Sequence, residues 1–278
     1  MGLTPPGIPR WLQRFDWLVG WSYGWADTTQ FPRSVFCHPN SLDGLLLYLE
    51  GHFGSPLPET GANSLLVVGG EDTLLSQQRP RTLSRLQSYF GEIFYEAYDV
   101  DMAGVDIMPI GLTEFYLRGH EDRVFEAMGK REQKDGLLLS AFGKFWPGLN
   151  ETLDDRRKAA EFSQDCTFAT LGPFSQNDYF NALARHSFMI CPRGNGVQAP
   201  KLTEAFLTCC TPIVTASPMA RALEEKGAPL LIVNNWGEVT EPLLESQREH
   251  CFARARSFFD VVSDLDRWWD FSFNHAKS

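Results

Sequence analysis

The chain has 278 residues, enough for two domains of ordinary size or one large one, and its 43% hydrophobic content can fill a core. A formal net charge of −10 argues against nonspecific nucleic-acid binding, which needs an excess of Lys and Arg. It leaves room for an anionic small ligand, because local field outweighs net charge inside a cleft.

No run approaches the ~20 apolar residues of a membrane span. The opening stretch, Met1 to Leu12, holds three prolines and no signal core, and Pro6 breaks a myristoylation pattern at Gly2. The six cysteines form no CxxC pair, which weakens zinc and redox readings and suits a reducing compartment. The expectation is a soluble cytoplasmic protein, or a Golgi-lumenal one if an N-terminal anchor has been removed.

In chain order, the first half predicts strands at Ser34–His38, Ser64–Val68, Ile93–Tyr95 and Val105–Ile110, with helices at Ser41–His52 and Pro80–Phe90. The charged stretch Arg118–Asp135, with Gly119, Gly129 and Gly136 in and beside it, reads as the link between domains. Beyond it, strands at Leu137–Phe142, Cys166–Leu171, His186–Cys191, Pro212–Thr215 and Leu230–Val233 alternate with helices at Glu151–Gln164, Gln176–Arg185, Pro200–Cys210 and Pro218–Lys226. Such alternation means βαβ units on a parallel sheet, and unbroken apolar strands fit a sheet buried on both faces. The aromatic stretch Glu241–Phe273 reads as helix, packing its rings into a core or offering one or two of them to a sugar. No internal repeat is seen at solenoid spacing.

The most informative segment runs from Ser187 to Val214. An apolar strand ends in Cys191-Pro192-Arg193-Gly194-Asn195-Gly196, and a helix opens at Pro200, where a missing N–H costs nothing. A glycine loop of this kind gathers backbone N–H groups and a cation at one point, which suits a phosphate or diphosphate. On the helix, Leu202, Ala205, Phe206 and Cys209 form the apolar stripe, while Lys201 and Glu204 project together from another face. Arg193 and the loop amides would take a diphosphate, and Glu204 would accept from the ribose hydroxyls. The plainer alternative is a tight turn beside an exposed Lys201–Glu204 ion pair. Neither a dinucleotide fingerprint nor a Walker-type motif is present.

The run Phe188–Gly196, then Ala199-Pro200-Lys201-Leu202-x-Glu204-Ala205 and Thr211-Pro212-Ile213-Val214, resembles the donor-binding segment of exostosin-type (family 47-like) glycosyltransferases. Similar segments occur in small algal and viral sugar transferases. Leu65–Asp72 resembles a strand ending in that group's Gly-x-x-Asp loop, Met108–Leu112 its Pro-Ile-Gly-Leu turn, and Asp178–Ala184 the aromatic helix before the donor strand. The resemblance covers roughly residues 60 to 215. It implies an α/β GT-B fold: two Rossmann-like domains facing across a cleft, with a C-terminal helix packing back on the first. The corresponding division is 1–135 (acceptor side), 136–255 (nucleotide-sugar binding) and 256–278 (the returning helix). It also implies sugar transfer with inversion from a nucleotide-sugar donor, UDP- or GDP-linked, to a glycan or glycoconjugate hydroxyl, with no cofactor and no bound metal. Lys201 stands where the family commonly has Arg and cannot grip phosphate bidentately. Oligomeric state is left open.

Such a reaction needs cations on the leaving diphosphate and a base for the acceptor hydroxyl. Arg193 and Lys201 serve the first need. Behind the loop, Lys144 and the pair Arg156-Arg157 could add charge: Lys144, after the first strand of the second domain, could reach the phosphates, and the arginines' other reading is a solvated helix face. Asp72, then Glu71, are favoured as base, because they follow a buried strand and two glycines at the carboxyl edge where open α/β sheets hold ligands. A solvated loop pair is the other reading. Asp27, His38 and Glu114 are also eligible. Asp99-Val100-Asp101 imitates the DxD of metal-dependent transferases but lacks the apolar strand before it. Two other functions therefore stay open: a DxD-type metal-dependent transferase, and a Rossmann-like nucleotide-binding or partner protein without catalysis.

Overall fold

The computed structural model describes residues 11–20, 30–54, 63–111, 121–142, 152–194 and 196–273. The chain divides into two compact units, Met1–Met108 and Pro109–Ser278, each an α/β structure on its own five-stranded parallel sheet.

The first unit contains β1 (Trp17–Val19), β2 (Ser34–Cys37), α1 (Leu42–Phe53), β3 (Leu65–Val68), α2 (Pro80–Leu86), β4 (Glu92–Tyr95) and β5 (Asp106–Ile107). The strands lie in sequence order, β1-β2-β3-β4-β5, all parallel. Val35, Leu66, Val67, Ile93 and Phe94 are each at most 2% exposed, as expected of central strands covered on both faces. Leu42, Leu45, Leu46 and Leu49 form the buried stripe of α1, and Gly54 ends that helix at a φ of 72°. Because every crossover steps the same way, α1 and α2 share a face. Asp43 of α1 accepts from Thr82 Oγ1 of α2 at 2.6 Å and from Arg79 Nη1 at 2.8 Å. The three-residue β1 was not expected from sequence.

The second unit contains α3 (Glu121–Gly129), β6 (Gly136–Ser140), α4 (Thr152–Asp165), β7 (Ala169–Leu171), α5 (Gln176–Arg185), β8 (His186–Ile190), α6 (Lys201–Leu207), β9 (Thr211–Thr215), α7 (Pro218–Glu225), β10 (Leu231–Val233), α8 (Glu241–Val262) and α9 (Leu265–Phe273). Here the order is β10-β9-β8-β6-β7. From β6 the chain first winds outward to β7 and then returns to lay β8 on the other side of β6. The order reverses between β6 and β8, the place where doubly wound sheets open a ligand crevice beyond their carboxyl ends. Leu138, Phe188, Ile190, Ile213, Trp236 and Leu244 fill the core beneath it.

Three expectations differ from the observed elements. The division falls between Met108 and Pro109, ahead of the charged stretch assigned to the link. That stretch contains α3, which turns buried Val124 and Ala127 inward and is tied to the second unit. Lys130 Nζ donates to Asn181 Oδ1 at 3.1 Å, and Lys134 Nζ to the Ala184 and Thr208 carbonyls at 2.8 and 2.7 Å. The helix after the glycine loop is only seven residues. It stops where Thr208 Oγ1 turns back to the Glu204 and Ala205 carbonyls and Cys209 takes a φ of 50°. Finally, the C-terminal helix is broken at Ser263-Asp264, where Asp264 Oδ1 accepts from the Asp266 and Arg267 amides and caps α9. The α9 rings Trp268 and Phe271 meet Phe258 of α8 edge-on. Within the second unit Trp268 Nε1 also lies so close over Gly111 that a Cβ there would collide with it.

Candidate functional site

The glycine loop leaves β8 at the reversal point of the second sheet. It is held by Asp155, from the first turn of α4. Asp155 Oδ2 accepts the Arg193 N–H at 2.9 Å, while Oδ1 accepts Thr215 Oγ1 at 3.1 Å and Trp236 Nε1 at 2.9 Å. One carboxylate therefore joins the segments that follow β8 and β10 to the end of β9. The loop then folds on itself. Val197 N–H donates to the Gly194 carbonyl at 3.3 Å and Gln198 N–H to the Gly196 carbonyl at 2.9 Å. Val197, fully buried, sits at a φ of 75°, the sign of the strained γ-turn. A β-branched residue held there costs about 1–3 kcal/mol, so its surroundings must over-determine it. They do: Gln198 Oε1 accepts the Ile110 N–H at 2.9 Å, and Thr203 Oγ1 donates to the Ile110 carbonyl at 2.6 Å.

This geometry refines the expected phosphate cradle. The amides of Arg193, Val197 and Gln198 are committed inside the protein, and Gly194 pairs back to Val197 as an isolated antiparallel bridge. The Arg193 side chain is half-buried, and its Nε is buried without a partner among the described residues. Asn195 and Lys144 lie outside the described residues.

Lys201 and Glu204 do not form the exposed ion pair of the plainer reading. Both are half-buried, and both engage Tyr179 of α5. Tyr179 Oη donates to Glu204 Oε2 at 2.6 Å, and Lys201 Nζ lies 3.9 Å from the centroid of the same ring. Burial lowers the Lys201 ammonium, with Glu204 pulling the other way and Arg156 adding to the lowering. Burial also pushes the neighbouring Cys191 thiol up to about 12, so this cysteine is an inert wall of the site. Arg157 fits the solvated face expected of it, paired with Asp154 and Glu161. Arg156 does not: its Nε is buried without a partner among the described residues, and its charge is felt at Lys201 and Cys191. The second unit thus gathers Arg193, Lys201 and Arg156 near the end of β8, and none has a carboxylate ion-pair partner among the described residues. Half-buried cations without a paired carboxylate suit an anion.

The first unit carries a separate group at the carboxyl ends of β2, β3 and β4. Glu71, exposed after β3, places Oε1 3.3 Å from His38 Nε2, which follows β2. The His38 Nδ1 accepts from Asn40 N–H at 3.4 Å. Asp72 is exposed. Glu96, directly after β4, was not singled out by sequence. Its Oε2 accepts the Gly70 N–H at 2.6 Å, and it fills the space where a Cβ on Gly69 would stand. Burial raises its carboxyl to about 7, the Gly70 hydrogen bond opposing and Asp72 reinforcing. That value is close to what a general base at neutral pH requires.

The DxD imitation splits between two partners. Asp99 accepts from Ser76 N–H at 2.9 Å and Ser76 Oγ at 2.5 Å, and Asp101 Oδ1 accepts from Tyr98 Oη at 3.3 Å. Among the described residues no group of three or more His, Cys, Asp or Glu could hold a metal ion. Asp27 and Glu114 lie outside the described residues. No described helix is long and apolar enough to cross a membrane.

Sequence reasoning missed Asp155, Tyr179, Gln198 and Glu96. Tyr179 had a signal, since it lies in the helix resembling the one before the donor strand. Glu96 had another: it follows its strand as Glu71-Asp72 follow the neighbouring one.

No protein-family model matches the chain, and no curated protein matches it. Among solved structures, the crystal structure of WaaG, a glycosyltransferase involved in lipopolysaccharide biosynthesis, is similar over 87% of this chain and 75% of that one, at 14% identity and a TM-score of 0.36. So distant a likeness says nothing of substrate or chemistry.

Proposed function

We propose that the chain is an inverting, metal-independent glycosyltransferase that moves a sugar from a UDP- or GDP-linked donor to a glycan hydroxyl. The observation that carries this reading is the Arg193 glycine loop at the reversal point of the second sheet, beside Lys201, Tyr179 and Glu204. The sequence of that segment resembles the donor-binding run of exostosin-type transferases, and its cations lack carboxylate ion-pair partners among the described residues.

In this reading the acceptor oxygen attacks the anomeric carbon on the face opposite the diphosphate. The carbon–oxygen bond to the diphosphate breaks, and its electron pair leaves with the phosphate. Arg193 and Lys201 offset the charge that develops there. The acceptor hydroxyl gives its proton to a carboxylate of the first unit, Asp72 in first place and Glu71, steadied by His38, in second. The glycine loop and Glu204 hold the nucleotide in one pose, which turns a bimolecular encounter into an oriented one.

Thermal unfolding with UDP and GDP tests the donor site. At ~100 times its dissociation constant the cognate nucleotide should add about 2.7 kcal/mol of stability. Arg193→Ala and Glu204→Ala should each reduce that gain, whereas Asp72→Asn should retain it and slow donor hydrolysis. Hydrolysis across UDP-, GDP- and CMP-sugars should single out one donor and persist in EDTA. Loss of turnover in EDTA would favour the DxD alternative. Nucleotide binding with neither hydrolysis nor transfer would favour the non-catalytic one, and no stabilisation by either nucleotide would sink the reading.

A further inference from the structure

Glu204 and Lys201 stand three apart on a helix of seven residues, yet what fixes their side chains comes from another element. Tyr179 of α5 is 8% exposed, and its hydroxyl also touches Met189 Sδ at 3.9 Å, so the ring has no room to swing away. Its edge donates to Glu204 Oε2 while its face carries the Lys201 ammonium. Burial, with Glu204 beside it, pushes the phenol well above its ordinary range, so it stays a donor at any working pH.

Clamped through Oε2, the carboxylate is held in one plane. Oε1 keeps both lone pairs and Oε2 keeps one, an arrangement that accepts from two adjacent hydroxyls. A carboxylate free to rotate would present the same oxygens in many directions and lose entropy on binding. We propose that Tyr179 is a positioning residue that sets a preference for ribonucleoside over deoxyribonucleoside diphosphates, by holding Glu204 toward the pentose and Lys201 toward the phosphates. The inference rests on the nucleotide reading above and adds what the site discriminates.

Two substitutions separate the two grips. Tyr179→Phe keeps the ring and its face and deletes only the O–H; Tyr179→Leu deletes both. Calorimetric titration of the full chain with UDP, GDP, their 2′-deoxy counterparts and inorganic pyrophosphate reads the outcome, with each unliganded variant's melting temperature measured alongside. Tyr179→Phe should weaken the cognate ribonucleotide about tenfold, the scale of one hydrogen bond to a charged group. The ribo-to-deoxy ratio should shrink toward one while pyrophosphate affinity stays put. Tyr179→Leu should also weaken pyrophosphate about threefold, through loss of the cation–ring contact. Lys201→Met, which leaves the Tyr179–Glu204 contact in place, should weaken pyrophosphate and preserve the ratio.

A ratio in Tyr179→Phe equal to that of the wild type, with Glu204→Gln losing it, overturns the inference and leaves the nucleotide reading standing. A wild-type ratio already near one, or a ratio that falls in Lys201→Met, overturns it equally. Wild-type protein that binds none of the diphosphates overturns both.

Discussion

A carboxyl group pressed beneath two glycines titrates differently from one on an open loop, and Glu96 is that case. Held at about 7, it keeps its proton in the folded protein through a range where the unfolded chain has already ionised. Folding therefore takes up a proton as pH rises from the ordinary glutamate range toward 7, and stability contributed at low pH is lost across that window. Glu96→Gln removes the dependence while keeping an acceptor for the Gly70 N–H. Its melting temperature should match the wild type near pH 5 and exceed it at pH 8; parallel curves across that range would contradict the burial of this group. Sequence could name Glu71 and Asp72 because they sit in a visible motif. Glu96 enters the same neighbourhood only because β4 pairs with β3, with Tyr95 opposite Val68, and pairing is not written in either strand alone. Arg156 and Arg157 make the point again: adjacent residues of one type, one paired at the surface and one with its Nε buried.

At the scale of elements, Asp155 joins what the strands leave apart. Asp155→Ala would strand the Arg193 amide and the Thr215 hydroxyl at once, while the Trp236 indole N–H keeps the Asp155 backbone carbonyl at 3.2 Å. Leaving such groups unsatisfied should cost about 2–3 kcal/mol in urea unfolding, and the freed loop should lower nucleotide affinity as well. A loss below ~0.5 kcal/mol would mean the network holds nothing. The regular elements themselves were legible, since β2 to β4 and β6 to β10 lie within a few residues of the apolar runs that announced them. Their ends were less so. The helix after the glycine loop was expected to run to Cys210, but a hydroxyl bonding back to its own turn and a residue in the left-handed region end it early. The charged segment read as a link hides a short amphipathic helix, because three lysine and arginine side chains there are spent on the second unit. Lys130 and Lys134 hydrogen-bond to it, and the Arg131 guanidinium lies 4.0 Å from the centroid of the Phe259 ring.

For the molecule as a whole, alternation of strand and helix announced parallel sheets, but not the order of their strands. Order depends on which way each crossover turns, and no local pattern encodes that. It matters here because the first sheet always steps in one direction, whereas the second reverses between β6 and β8. Among the described strands only the second sheet therefore has a point where neighbouring loops part, and the segment that resembled a donor site is the one that emerges there. The cysteines, too, act at this scale. All six sulfhydryls are shut inside, five of them at 3% exposure or less and Cys166 at 9%, and burial raises every one. Maleimide added to native protein should find nothing to alkylate, and in guanidinium it should find all six. The slow arrival of label in buffer then becomes a clock for breathing of the fold, and if Cys166 is not the first to be marked, the opening begins somewhere other than the foot of β7.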